Sequence, residues 1–472
     1  MVPIVQCLQA QGFTVELLQQ GISNIDTSRR LGAAEKLQRY YVLKEKAQGL
    51  PPDSNFARLC HRIGAYEFAV NKRYSAALGE TRQALRINTA GGRGASLSAA
   101  AGDMYNIAYI YDILSFHQKA LLYYDSAILF AGRSADIDET MTISRVNKAY
   151  IYFRMGDYEK AVEEGERARV RALQRRDSTG YLYALTQRSQ ALCFQGKLAP
   201  AEKDAGIAIG LARAMHADFH LAGVLKVQAI IFAKLRDFPK AEVAYRECIT
   251  TRLRSKVFAQ VAGDYNDLGV FYGDTLHEYL KAVDCYRTAI GYGRQEGDSI
   301  RMARASVNLA GTYVQQERLD SAIAYYTQTM NLLNIGRGAD FTRNPRAGEL
   351  SAMGNKELVL DLFSNKTELL LTLFRRTGED RWLRACLQTA LLTDSLIRDI
   401  RHEQLGEQSK LYWRDRTRGF FADALEGCWL ARDDRLALYF MEESRSVLLL
   451  DKLNELGANA CLPVEEAAKG ER

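Results

Sequence analysis

Seven alanines recur along the chain at a nearly fixed interval: Ala77, Ala120, Ala161, Ala201, Ala241, Ala282 and Ala322. Successive spacings of 43, 41, 40, 40, 41 and 40 residues are the signature of stacked repeats, in which each unit buries its apolar face against its neighbours. A small residue stands twelve positions before most of them (Ala65, Ala108, Ala149, Ser189, Ala229, Ala310); in the Ala282 unit it is Gly269, one residue further back. Three positions after the small residue comes a bulky one, from Phe68 to Tyr313, and an aromatic or leucine stands three before most ladder alanines. Offsets of three and four put residues on one face of a helix. The pattern therefore predicts two helices per unit, brought close by a small residue on each. Turns are expected at 155–157, 195–197, 235–237 and 316–318, which carry Gly or charged pairs. No stretch alternates apolar and polar residues as a strand would.

This arrangement resembles the tetratricopeptide repeat (TPR). The small–bulky pair matches its first helix, and the ladder alanine with flanking aromatics matches its second. The family's usual period is about 34 residues, so each unit here would carry longer helices or longer turns. The resemblance covers roughly residues 55–335. It implies an all-α fold, a right-handed superhelical solenoid of TPR-like helix pairs with a period of about 40 residues. The expected organisation is 1–50 as degenerate N-terminal capping helices, 51–333 as seven tandem repeats, and 334–356 as a loop or insertion rich in Gly and Asn. Residues 357–456 would form two aberrant repeats, with rungs at Cys386 and Ala437, and a junction helix; 457–472 would begin a linker. In the first of these segments Phe13, Leu17, Leu18, Leu31, Ala34, Leu37 and Tyr41 form the expected apolar set.

The C-terminal third adds a second resemblance. The stretch from Ala437 to Leu456, Ala-Leu-Tyr-Phe-Met-Glu-Glu-Ser-Arg-Ser followed by Val447-Leu448-Leu449-Leu450-Asp451-Lys452-Leu453-Asn454-Glu455-Leu456, is similar to the helix that joins TPR arrays to the CHAT domain, a caspase-like peptidase domain. The segments 407–413 and 392–397 resemble the same junction. The residues themselves contain no strands for such a domain, so the resemblance implies the regulatory half of a peptidase, with the peptidase domain following the chain or encoded beside it. Leu448, Leu449, Leu453 and Leu456 make a broader apolar stripe than a surface helix needs and are expected to form a partner surface, a final capping helix being the plainer alternative.

Composition narrows the function classes. With 63 basic and 57 acidic residues the net charge is +6, without the clustered basic face that nucleic-acid binding requires. The densest basic run, Arg167, Arg169, Arg171, Arg175 and Arg176, falls near a helix C-terminus, where arginine suits the helix dipole. No run of 18 apolar residues exists to span a membrane. Eight scattered cysteines without a CxxC suggest reduced thiols and a cytoplasmic protein. Leu8-Gln9-Ala10-Gln11 would also fit the tail of a signal sequence, which would make the protein secreted or periplasmic instead.

No catalytic constellation emerges and no cofactor or metal is expected. His216 and His220 are spaced as on a helix face but lack the glutamate of a zinc motif. Cys60 and His61 are adjacent and point apart, and the glycine-rich 90–96 has no phosphate-loop Lys-Ser/Thr. Binding is left. If first helices line a concave groove, the positions two before and one after each small residue face a ligand. The first set gives Asn106, Asn147, Gln187 and Asn308; the second gives Tyr66, Tyr109 and Tyr150, with Tyr105 and Tyr183 nearby. Amides suit an extended peptide backbone, and tyrosines are rigid contact residues. The alternative is that the asparagines bond across neighbouring repeats and the tyrosines pack between helices. Lys226 and Arg304 would add positive charge for an acidic segment. The chain thus reads as a non-catalytic scaffold for a protein or peptide; a sensor controlling a kinase or transcriptional output is the alternative.

Overall fold

Every one of the seven ladder alanines is fully buried, at 0% exposure. At Ala201 the two helices of the pair come close enough for a side chain on one to reach the backbone of the other. Ser189 shows how close: its hydroxyl donates to the carbonyl of Ala201 at 2.7 Å, which only a short side chain on each helix permits. In the computed structural model the described residues are 13–90, 96–134, 139–256, 258–335, 340–351, 355–402 and 407–446. Among them there is no strand. The helices are α1 (Val15–Thr27), α2 (Ala33–Lys46), α3 (Ser54–Tyr66), α4 (Tyr74–Thr89), α5 (Leu97–Ile113), α6 (His117–Arg133) and α7 (Thr140–Arg154). Next come α8 (Tyr158–Arg175), α9 (Ser178–Phe194), α10 (Leu198–Ala214), α11 (Asp218–Lys234), α12 (Phe238–Arg254), α13 (Phe258–Val270), α14 (Tyr279–Gln295), α15 (Ser299–Gln315) and α16 (Leu319–Leu332). The series ends with α17 (Ala347–Ser351), α18 (Lys356–Thr377), α19 (Asp380–His402), α20 (Glu407–Ala431) and α21 (Asp434–Ser446). Within each unit consecutive helices pack in pairs, as α3 with α4, α5 with α6, α11 with α12 and α15 with α16, and in the second unit first helices touch first helices, as α9 touches α11 and α13 touches α15. This is a TPR-like solenoid. The chain divides into two units, 1–151 and 152–472.

A second regularity accompanies the ladder. Five residues before each alanine the backbone turns left-handed: Lys72, Ser115, Gly156, Gly196, Arg236, His277 and Glu317 all have φ between 50° and 80°. The residue that follows caps the first helix, as when the Asp157, Lys197 and Asp237 amides donate to the Tyr152, Leu192 and Phe232 carbonyls at 2.9 Å. Arg432, five before Ala437, adopts the same conformation with φ 55°, so α20 and α21 meet as the earlier pairs do.

Two first helices carry one residue too many, and both absorb it in the same way. Glu67–Asn71 after α3 and Phe271–Thr275 after α13 are π-helical, the wider turn that accommodates a one-residue insertion. In the first of these units the residue at the crossing is Gly64 rather than Ala65: a Cβ on Gly64 would lie 3.1 Å from the Ala77 carbonyl. In the second it is Gly269, where a Cβ would come within 2.6 Å of the Tyr286 ring.

The N-terminal pair differs in register from the expected apolar set. Leu18, Ile22, Ile25, Leu37, Tyr40 and Leu43 are buried, whereas Leu17 and Ala34 are exposed. Residues 340–346 lie against α18 and α19. Lys366, fully buried, donates to the Arg343 carbonyl at 2.9 Å and to Asn344 Oδ1 at 2.8 Å. Phe341 and Phe363 flank its ammonium at 5.1 and 5.7 Å, and burial pulls the amine down to about 7. Leu448, Leu449, Leu453 and Leu456 lie outside the described residues.

Within the second unit the chain returns to its own start. Arg154 reaches Glu357 of α18 at 3.3 Å, and the Tyr158 ring meets Tyr412 of α20 edge-on at 6.1 Å. Gly156, between them, lies against Tyr412 so closely that a Cβ would collide with the ring.

Four substitutions have stability outcomes measurable by urea unfolding. Ala201→Leu should cost about 1–3 kcal/mol through overpacking, while Ala34→Leu on the exposed face of α2 should stay within about 0.5 kcal/mol. Gly196→Ala, with φ 80° and open space around it, should cost only the left-handed backbone, about 1–2 kcal/mol. Gly156→Ala should cost more, and Tyr412→Ala in a double-mutant cycle should cancel the excess.

Candidate functional site

The inner candidates fall in both units, and each face is built from first helices. In the first unit Tyr105 and Tyr109 of α5, four residues apart, hold their rings nearly parallel, 6° between planes and 6.3 Å between centroids. Phe68 meets Tyr109 edge-on at 5.4 Å, and Tyr124 of α6 lies 5.8 Å from Tyr105. Tyr109 and Tyr150 remain 36% and 41% exposed. Burial, then the nearby Asp112 and Tyr150, push the Tyr109 hydroxyl above its ordinary value.

The amides of this unit are engaged across repeats. Asn147 donates from Nδ2 to the Tyr105 and Tyr124 hydroxyls at 3.2 and 3.1 Å. Asn106 places its Nδ2 3.3 Å from His61 Nε2. On the other side His61 Nδ1 meets the fully buried Asp103 at 2.6 Å, and Asn88 donates to the same carboxylate at 2.7 Å. Tyr66 packs 5.5 Å from Tyr40 of α2. With Gly64 as the crossing residue, Tyr66 is one position beyond the register that was expected to face a ligand.

In the second unit Tyr183 of α9 packs edge-on against His220 of α11 at 4.5 Å, and burial lowers the His220 pKa. His216 is not on that helix at all; it is the left-handed turn residue before it, with φ 50°. Gln187 buries its Oε1 without a hydrogen-bond partner among the described residues. Asn308 of α15 donates to Asn266 of α13 at 2.9 Å. Lys226 of α11 is paired with Asp267 at 3.1 Å and Asp264 at 3.7 Å, and Asp267 above all holds its ammonium above the usual lysine range. Arg252 binds Asp264 from the other side. Lys226 is therefore spent on the protein's own carboxylates and is not a free cation for an acidic ligand. Arg167 and Arg169 of the basic run are likewise paired, with Glu163 and Glu164 and with Glu166.

Further along, two adjoining cavities of about 290 and 220 Å³ share Asn365 and Glu368 of α18. The larger is bounded by Asp274, His277, Asn308 and Gln315. The smaller is bounded by Asp361, Arg416, Phe420 and Asp423. Asp361 is matched by Arg416 at 2.7 Å. Burial raises the pKa of Asp274, Glu368 and Asp423, and with Glu368 as a like-charged neighbour Asp423 rises to about 6. Sequence reasoning did not single out Asn266, Asn365, Glu368 or Asp423. Asn266 was findable, since it lies three rather than two before Gly269 in a unit already seen to be offset. The others follow the insertion, where the ladder offers no register.

Among the described residues no group of three or more His, Cys, Asp or Glu is arranged to hold a metal ion, and no described helix is long and apolar enough to cross a membrane. The six described cysteines are buried free thiols.

A tetratricopeptide-repeat family profile matches residues 144–168 and 303–331, each spanning a first-helix small residue and a ladder alanine. The chain carries tetratricopeptide repeats at these two segments. No curated protein sequence matches it. Similar solved structures include the apo form of the quorum sensor NprR from B. thuringiensis, 17% identical over 67% of this chain and 88% of that one, with a TM-score of 0.53. Others are a Rap protein complexed with Competence and Sporulation Factor (11%, covering 93% and 97%, TM-score 0.47) and a tetratricopeptide repeat protein from Parabacteroides merdae (15%, covering 58% and 93%, TM-score 0.40). At these identities the likeness is one of fold, and of the three the NprR score carries it.

The sign of the Asp423 effect can be tested. A carboxyl whose pKa is raised on folding destabilises the folded state once it ionises, and the penalty grows as pH climbs from the ordinary 3.8 to about 6. Asp423→Asn should therefore raise the melting temperature near neutral pH and have little effect below the ordinary carboxylate range, as read by thermal unfolding at both.

Proposed function

We propose that this protein is a non-catalytic recognition scaffold that holds a peptide or an extended protein segment against its first helices. The supporting observation is a contrast between tyrosines. Those four residues after a ladder alanine (Tyr124, Tyr245, Tyr286, Tyr326) are buried, whereas Tyr109 and Tyr150 on first helices keep more than a third of their surface. That aromatic surface is not consumed by packing, and rigid aromatics give contact area at low entropy cost. The amides serve the scaffold more than the ligand: Asn106, Asn147 and Asn308 tie neighbouring repeats, and Asn147 thereby fixes where Tyr105 stands. In the second unit the cavities beside Glu368 and Asp423 favour a segment that carries Lys or Arg.

The likeness of the C-terminal sequence to CHAT junctions makes a peptidase domain the partner we propose for regulation. A sensor that controls a kinase or transcriptional output is the second reading; a quorum sensor is among the proteins of similar fold.

Binding to an array of defined extended peptides, acidic, neutral and basic, tests the first reading. Peptides retained by the unaltered chain should bind Tyr109→Ala/Tyr150→Ala at least about tenfold more weakly by fluorescence polarisation, as expected for central aromatic contacts, with the helical signal intact. Unchanged affinity in that variant would remove the aromatic face from the reading.

A further inference from the structure

The exposed tyrosines of the first unit belong to a continuous run of rings. Tyr74 lies 5.8 Å from Phe68, Phe68 meets Tyr109 edge-on at 5.4 Å, and Tyr109 stands 6.3 Å from the nearly parallel ring of Tyr105. Tyr150 of α7 is close enough to act electrostatically on the Tyr109 hydroxyl, as Tyr74 is. The run therefore crosses three successive repeats. Phe68, Tyr74 and Tyr105 are half-buried, while Tyr109 and Tyr150 stand further into solvent.

Two properties of the surroundings select what such a surface can take. The first is charge. Helix α5, which carries Tyr105 and Tyr109, has only two charged residues, Asp103 and Asp112, and both are buried. Asp103 is bonded by His61 and Asn88, and Asp112 faces His117 at 3.5 Å. Glu67, beside Phe68 and fully buried, accepts from Tyr41, Asn71 and Arg73, and Lys148 of α7 is matched by Asp125 at 2.6 Å. A charged side chain arriving here would lose water without gaining a dedicated counter-charge. The second property is hydrogen bonding. Asn106 and Asn147, the amides able both to give and to accept along a peptide backbone, are held by His61 and by the Tyr105 and Tyr124 hydroxyls. The Tyr109 hydroxyl, at the rim, is a donor suited to a carbonyl oxygen.

We propose that this aromatic run holds an uncharged, proline-rich segment in the polyproline II conformation. An ordinary extended segment brings an N–H at every residue, and each one pressed against rings without an acceptor is costly. Proline brings none. Its ring is a rigid apolar block that packs between aromatic side chains, and its carbonyls point outward to meet donors such as a phenol hydroxyl. A proline-rich chain also holds its bound shape before it docks, so little ordering entropy is lost. At about 3.1 Å per residue, about six residues reach along the rings from Tyr74 to Tyr105. The inference rests on the reading of first helices as the ligand face and names the class of ligand for the first unit.

Titration of the full-length chain with decaproline, followed by calorimetry, tests it. Saturable binding is expected, changing less than about twofold as salt rises from about 0.05 to about 0.5 M, since no charge pairs form. Replacing alternate prolines of the peptide by alanine, which restores N–H groups, should weaken it several-fold. Tyr109→Ala with Tyr150→Ala should weaken decaproline at least about tenfold, with the helical circular-dichroism signal retained. Tyr109→Phe with Tyr150→Phe keeps the rings and should cost less than that. Decaproline that does not bind, that binds the alanine variant as well as the unaltered chain, or that binds no better than its alanine-substituted form overturns the proposal, and so does a steep fall with salt. If decaproline fails while proline-free peptides bind and lose affinity in the same alanine variant, the ligand face stands and its proline-rich occupant falls. If those peptides are indifferent to the variant as well, both readings fall.

Discussion

Everything in this fold depends on how closely two backbones can approach at one alanine per repeat. A larger side chain at Ala77, Ala161 or Ala201 would push the helices of its pair apart, and because each pair is the seat of the next, the displacement would propagate. The Ser189 hydroxyl bonded to the Ala201 carbonyl shows that one of these crossings is tight enough for a side-chain oxygen to join the two backbones. Large residues enter only on either side of the crossing, where the aromatics at four positions after the alanine fill the wedge between a pair and its successor.

The helical pairing and the ladder were legible because they depend on side-chain volume, which sequence states directly. The places where reading slipped share a cause: a shift of a single residue in helical register. Leu17 and Leu18 are equally apolar, yet only Leu18 points inward. Ala65 and Gly64 are both small, and the chain uses Gly64 because the π-helical turn at Glu67–Asn71 moves the register by one. That same shift takes Tyr66 out of line with Tyr109 and Tyr150. Beyond residue 334 the repeat loses its spacing, and Asn365, Glu368 and Asp423 were invisible because nothing fixed which helical face they would take.

The candidate site shows a division of labour that composition does not reveal. Amides and charged groups on first helices are largely committed to one another, Asn147 to two tyrosine hydroxyls and Lys226 to two aspartates. Such networks specify how repeats align, since a buried polar group left unpaired is costly. What they leave available is hydrophobic and aromatic in the first unit and carboxylate-lined in the second. Recognition built this way would read a ligand's shape and charge, with the polar lattice beneath acting as the rigid mount.

The contact between Gly156 and Tyr412 changes how the second unit must lose its structure. An open array of repeats can fray from either end, because each element is held only by its neighbours and local stabilities simply add. Once the turn before α8 is fastened to α20, with Arg154 bonded to Glu357 alongside, neither α8 nor the start of α20 can peel away without breaking a contact far off in sequence. Such a unit should melt as one block rather than rung by rung, at the cost of slower folding, since the closing contact can form only after the intervening repeats are in place.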